Sequence, residues 1–217
     1  MRGKLITLEG SEGCGKTTQA DLLASWLKKR GITCLLLREP GGTQLGEAVR
    51  NLLKHEKAGE GMCAESELFL FAASRAELVR KVIVPALERG TWVVCDRFCD
   101  STTVYQGYAR GIDPMAIAMV NQLALGGAAP DLTLVFDMEV DQAQGRLMRR
   151  VRPVGENRRD RIESEPRAFF ECVREGYCTL AQKEPERVKL VDGSRPREEV
   201  FEQVKKEILD AFASLLD

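Results

Sequence analysis

Histidine is almost missing: His55 is the only one in 217 residues. A single histidine weakens the case for a histidine metal centre or a Ser-His-Asp triad, and His55 itself reads as a surface residue. Cysteine pairing is also missing. Cys14, Cys34, Cys63, Cys95, Cys99, Cys172 and Cys178 are odd in number, and no Cys-x-x-Cys occurs. That argues against a disulfide framework or structural zinc and fits the reducing cytoplasm. No sign of charge dominates, with 32 Lys+Arg against 33 Asp+Glu and a formal net charge of −1. Bulk electrostatics therefore point to no nucleic-acid partner and no membrane surface. No apolar run approaches the roughly 20 residues of a membrane span, and no signal peptide is expected. Repeats, low-complexity stretches and linkers are lacking too. With 44% hydrophobic residues, a single domain over 1–217 is expected.

What is present alternates. Short apolar runs at 4–9, 32–39, 91–97, 131–138 and 187–193 read as strands. Helical spacing covers 17–31, 43–55, 65–90 (with a bend expected near Pro85), 99–110, 114–125, 139–151, 165–183 and 195–216. Near-continuous apolar strands between helices mean an α/β fold, a five-stranded parallel sheet with helices on both faces. Ligands of such sheets bind beyond the carboxyl ends of the strands. Glu9, Glu39, Asp96, Asp137 and Asp192 all fall at or near those ends.

Residues 10–17, GSEGCGKT, fit G-x-x-x-x-G-K-[ST] between a strand and a helix. Gly10, Gly13 and Gly15 let backbone N–H groups turn in on an anion. Ser11, Glu12 and Cys14 fill the variable positions. Lys16 supplies a positive charge for β- and γ-phosphates, Thr17 a hydroxyl for Mg²⁺, and Thr18 continues into a helix whose positive end faces the phosphates. This is a cradle for a nucleoside triphosphate such as ATP. Further on, REPGGT (38–43), FLFAASRAELVR (69–80) and CDRFCDSTTVYQGYARG (95–111) collect arginines, hydroxyls, a glutamine and aromatics near the ligand rim. Arginine's planar fork suits a second phosphate, and Gln106 with tyrosines suits a planar base. Phe71 and Arg75 lie four apart, on one helical face.

The ordered set GSEGCGKTT, REPGGT, FAASRA, DRFCDSTTVYQG and DRIE resembles the thymidylate kinase family over roughly residues 4–193. The resemblance implies the P-loop kinase fold with a short lid at about 150–161, and direct in-line transfer of a phosphoryl group from ATP to dTMP. It implies Mg²⁺ as cofactor, a cytoplasmic homodimer, and no nucleic-acid or membrane partner. By the same resemblance, Glu12 would meet the acceptor's sugar hydroxyl. Glu39, with Pro40, would lie near the acceptor phosphate and the metal. Arg97 would hold that phosphate, with Arg50 as a second candidate. Phe71 would stack on thymine, and Arg75 and Gln106 would bond its edge. Ser101 and Thr102 would line the acceptor site, and Tyr108 would pack on the sugar and disfavour a ribose. Asp96, with Thr17, would orient Mg²⁺. Arg146 and the turn after Asp192 would enclose adenine.

Residues 146–161, RLMRRVRPVGENRRDR, hold seven arginines around Pro153 and Gly155. Read alone, this is either a solvated basic loop or a lid carrying transition-state charge. The family's catalytic arginine comes from the phosphate loop or from the lid. This loop has none, so the resemblance points to Arg158, Arg159 or Arg161, with Arg152 as an outsider. Two other readings stay open from the residues: a P-loop kinase for another (deoxy)nucleotide or nucleoside, and a nucleotide-dependent switch. The latter usually carries N-K-x-D, which is absent.

Overall fold

A computed structural model describes residues 2–54, 57–149 and 160–216. In chain order the elements begin with strand β1 (Leu5–Glu9), helix α1 (Lys16–Lys29), strand β2 (Cys34–Arg38) and helix α2 (Gln44–Lys54). Helix α3 (Ala64–Leu78) passes through a π-helical stretch, Val79–Ile83, into α4 (Val84–Glu88). The π stretch ends two residues before Pro85, where the sequence leads us to expect a bend. Proline lacks a donor and crowds the carbonyl four residues back, and wider bonding accommodates both.

Strand β3 (Trp92–Asp96) leads to α5 (Cys99–Thr102), a second π stretch (Thr103–Ala109) and α6 (Pro114–Leu125). Asp113 caps α6, its side chain accepting from the backbone N–H groups of Met115 and Ala116. Pro114 opens the helix and left-handed Gly126 ends it. Then come β4 (Leu132–Asp137), α7 (Val140–Arg149), α8 (Arg167–Lys183), β5 (Val188–Asp192) and α9 (Arg197–Leu216).

The five strands are parallel, in the order β2-β3-β1-β4-β5. The three central strands are apolar on both faces because helices cover both. Leu5, Val93 and Cys95 pack with Leu78, Ile83 and Leu87 on one side. Ile6, Leu8 and Phe136 pack with Leu23, Leu27, Val204 and Ile208 on the other. A further cluster joins Val135 to Val173, Tyr177 and Leu180 of α8. The chain builds one side of β1 with β2 and β3, then crosses to build the other with β4 and β5. The crevice of such a sheet opens at the carboxyl end of the strand where the direction reverses. That strand is β1, and the glycine-rich turn follows it.

Candidate functional site

A cavity of about 820 Å³ opens at this end of the sheet. Its first wall is the turn between β1 and α1. Gly13 has φ 82°, and a Cβ there would sit 2.2 Å from the Ala143 carbonyl oxygen. Gly15 has φ 96° and begins α1 in the left-handed region. Both positions therefore require glycine. Lys16 is buried, its Nζ donating to the carbonyl oxygens of Gly10 (2.9 Å) and Ser11 (2.5 Å). Gly10 and Ser11 contribute those carbonyls and do not line the cavity, whereas Glu12 through Thr18 do.

The second wall leaves β3. Arg97 has φ 70°, the only non-glycine residue with positive φ among the described residues. Such a conformation costs on the order of 1–3 kcal/mol and persists where its surroundings over-determine it. Here they do. Arg97 N–H bonds Leu8 O at 2.9 Å, Nη1 donates to Gly10 O at 3.0 Å and to Ser101 Oγ at 3.2 Å, and Nη2 meets Glu12 Oε1 at 2.7 Å. Glu9, fully buried, receives Phe98 N–H (2.7 Å), Ser101 Oγ (2.6 Å) and the Tyr177 hydroxyl (2.8 Å). Burial, with Asp100 nearby, raises its pKa above the ordinary carboxylate value. Sequence reasoning placed Glu9 only on the rim. Its hydrogen bonds make it the anchor of the Arg97 segment.

Glu39 lies just past β2, buried, with Oε2 on Arg75 Nε at 2.9 Å and Oε1 without a hydrogen-bond partner among the described residues. Burial lifts its carboxyl to about 7 against the pull of Arg75. Asp96 Oδ2 accepts from Thr17 Oγ1 at 2.6 Å. Glu39, Asp96 and Thr17 all border the cavity, but no group of three or more His, Cys, Asp or Glu forms a cage among the described residues. That donor set suits a cation that keeps several waters and takes most of its ligands from bound phosphates. Asp137 and Asp192, also expected at the rim, are engaged elsewhere: Arg174 forks onto Asp137, and Asp192 bonds Ser194 and Arg195.

Several acceptor-side expectations meet in one place. Pro40, Arg50, Phe71, Ser101, Thr102 and Gln106 line the cavity, and Arg50 donates to Pro40 O at 3.0 Å. At the opposite end, Arg146 donates to Gly193 O (2.8 Å) and Ser194 O (3.0 Å) and lines the cavity with Gly193.

Three of the expected residues lie away from the cavity. Arg75 does not border the cavity. It is 1% exposed, and besides Glu39 it donates to Thr102 Oγ1, Asn121 Oδ1 and Phe98 O. A guanidinium this buried needs such partners, and they hold it behind Thr102 and Glu39. Tyr108 also lies away. It packs over Gly176, where a Cβ would come 3.0 Å from its ring, and its hydroxyl meets Lys183. Tyr105 is the tyrosine of the cavity, its hydroxyl donating to Glu12 Oε2 at 2.9 Å and its ring lying under Arg97. Arg161 turns from the cavity as well, bonding Glu67 and Leu53 O. Arg152, Arg158 and Arg159 lie outside the described residues. All seven cysteines are free. Burial pushes the Cys99 thiol well above its ordinary value.

A glycine-rich anion cradle facing an arginine-bearing second pocket is the layout of a nucleotide kinase, and comparison with known proteins agrees. The family model for thymidylate kinase matches residues 8–204. The chain belongs to the thymidylate kinase family. The thymidylate kinase of Desulfosudis oleivorans is 48% identical over 196 residues, 90% of this chain and 91% of the relative. That of Kosmotoga olearia is 43% identical over 204 residues, 94% of each. The crystal structure of thymidylate kinase from Ehrlichia chaffeensis superimposes with a TM-score of 0.76 at 36% identity, covering 96% of this chain and 99% of that one. Family membership makes the chain a nucleoside-monophosphate kinase with the P-loop fold.

Proposed function

We propose that the chain transfers the γ-phosphoryl group of ATP directly to the phosphate of dTMP, giving dTDP, as one catalytic domain spanning the chain. The observation that carries this reading is that Lys16 and Arg97, which both line one cavity, converge on Gly10 O. One cation grips the donor phosphates and the other, with Arg50, grips the acceptor phosphate. A kinase must hold two polyanions in line and neutralise charge as the phosphoryl group moves. The acceptor phosphate oxygen is largely ionised at pH 7, so no general base and no covalent enzyme intermediate are needed.

Phe71 and Gln106 take the thymine, Glu12 and Tyr105 the deoxyribose, and Arg146 with Gly193 the adenine. Mg²⁺, when bound with ATP, neutralises phosphate oxygens. Thr17 and Asp96 would hold it, with Glu39 beside them. An arginine from the segment at about 150–161 would meet the transition-state charge.

Two further parts of the reading concern assembly and location. Met115, Met119 and Leu123 form an exposed stripe on α6 (73%, 69% and 76%), and Phe69 adds to the apolar surface on the adjoining α3. This apolar area supports a homodimer through α3 and α6. No helix among the described residues is long and apolar enough to cross a membrane. With seven free thiols, that supports action in the cytoplasm.

The test is acceptor profiling with ATP and Mg²⁺, reading ADP. Strongest turnover is expected with dTMP and none with thymidine. Preference for the unphosphorylated nucleoside, or ATP hydrolysis indifferent to any acceptor, would overturn the reading.

A further inference from the structure

Glu67 was not singled out by the sequence, yet its carboxylate accepts four hydrogen bonds beside the acceptor end of the cavity. It lies on α3 with its side chain 2% exposed. Oε1 accepts from Gln106 Nε2 at 2.7 Å and Arg110 Nε at 3.2 Å. Oε2 accepts from Arg110 Nη2 at 3.2 Å and from Arg161 Nη2. Desolvation works against its charge, but the hydrogen bonds from Arg110 and Gln106 and the two guanidinium charges outweigh it and lower the pKa. Arg110 is in turn fixed by Glu165 at 2.6 Å and lies over the Phe169 ring, while Arg161 also bonds Leu53 O. The carboxylate therefore cannot swing away from Gln106.

An ionised carboxylate only accepts hydrogen bonds, and an amide has one donating and one accepting end. Gln106 must therefore give its Nε2 to Glu67. Gln106 also lines the cavity beside Phe71 and Thr102, so the end left for a ligand is the carbonyl oxygen.

We propose that Glu67 is a positioning residue for base selectivity: by accepting from Gln106 Nε2, it turns Gln106 Oε1 toward the acceptor base, where it takes a hydrogen bond from a protonated ring nitrogen. Thymine and uracil carry that proton on N3; cytosine has a lone pair there. The inference rests on the reading of the cavity as a dTMP site, and it adds the device that rejects a cytosine nucleotide.

Glu67→Gln gives the sharpest test. Arg110 and Arg161 are donors only, so the new amide turns its oxygen to them and its NH₂ to Gln106. Gln106 must then turn its own oxygen inward, leaving Nε2 facing the base, which suits unprotonated N3. Glu67→Met removes the acceptor outright and frees the Gln106 amide to turn either way. Glu67→Asp keeps the acceptor.

The readout is kcat/KM for dUMP divided by kcat/KM for dCMP, two nucleotides differing only at N3 and the C4 substituent. The ratio is expected to fall at least tenfold in Glu67→Gln and by a smaller factor in Glu67→Met, and to hold within about threefold in Glu67→Asp. Loss of packing alone would lower both activities together and leave the ratio unchanged. Either of the first two variants decides the matter if circular dichroism shows it folded. A ratio within twofold of the parent in a folded variant would overturn the role of Glu67. A parent enzyme that phosphorylates neither dTMP nor dUMP would overturn the dTMP reading, before any variant is made.

Discussion

Lys16 Nζ and Arg97 Nη1 donate to one and the same oxygen, the carbonyl of Gly10, at 2.9 Å and 3.0 Å. Two cations are thus held side by side, one from the turn after β1 and one from the end of β3. Their mutual repulsion is offset by the Gly10 and Ser11 carbonyls and by Glu12. A pair of phosphates arriving there meets positive charge already in place.

Each cation is accordingly expected to be indispensable. Lys16→Met and Arg97→Ala should each lower kcat at least about tenfold, with cooperative unfolding retained. Steady-state kinetics and urea denaturation check both. Because Arg97 sits at φ 70°, Arg97→Gly should be about 1 kcal/mol more stable than Arg97→Ala while equally inactive. Equal stability of the two would mean that the left-handed backbone carries no cost at this position.

The tyrosine of the acceptor site is expected to be Tyr105. Tyr105→Phe deletes the hydrogen bond to Glu12 and should raise KM for dTMP roughly fivefold, the equivalent of about 1 kcal/mol. Tyr108→Phe, which touches only the Lys183 contact, should leave KM within about twofold, since a surface contact of this kind contributes little. The opposite ranking in kinetics would return the role to Tyr108.

Glu39 gives the free protein a pH-dependent stability. Its carboxyl shifts from 4.5 to about 7 on folding. A group whose pKa is raised supports the folded state fully below its unfolded value. That support is withdrawn as pH climbs through the folded value. Glu39→Gln has no such group. Relative to the variant, the parent should therefore lose on the order of 3 kcal/mol between pH 4.5 and pH 7.5. Urea titrations of both proteins across that window measure it. A stability difference independent of pH would mean that Arg75 keeps Glu39 ionised throughout.

Leu123→Glu places a charge at the C-terminal end of the exposed stripe on α6. Sedimentation should show a dimer for the parent and a monomer for the variant, because an unpaired charge is costly inside an apolar interface. A monomeric parent at micromolar concentration would remove the proposed assembly.

Much of the fold was legible because its signals are local or periodic. Near-continuous apolar strands bounded by helices give a covered parallel sheet whatever the side-chain details. The strand order was not legible, since nothing in β2 or β4 alone says on which side of β1 it will pair. The turn at 10–17 was legible for another reason. Its function depends on backbone freedom at Gly13 and Gly15 and on a lysine whose partners, Gly10 and Ser11, are only six and five residues away.

The acceptor side was only partly legible. Tyr105 and Tyr108 are three apart and share one polar-aromatic run, so spacing alone could not separate them. The π stretch Thr103–Ala109 changes the angular step along the helix, and Gly176 of α8 opens the space that Tyr108 fills. Arg75 carries a full charge whose partner is chosen by distance in space, and Glu39 lies 36 positions away. Glu67 gave no signal at all, for a lone glutamate in a helix reads as solvated until Gln106, Arg110 and Arg161 are brought around it.

The amino-acid order by itself determined the parallel layered architecture, the phosphate cradle and the residue types for a second phosphate, because those rest on hydrophobic period and short-range backbone geometry. Only the tertiary structure decided which arginine faces the gap, which tyrosine borders it and which amide end meets the base. Each of those choices is an electrostatic or packing contest among groups far apart in the chain, settled when burial removes water as the alternative partner.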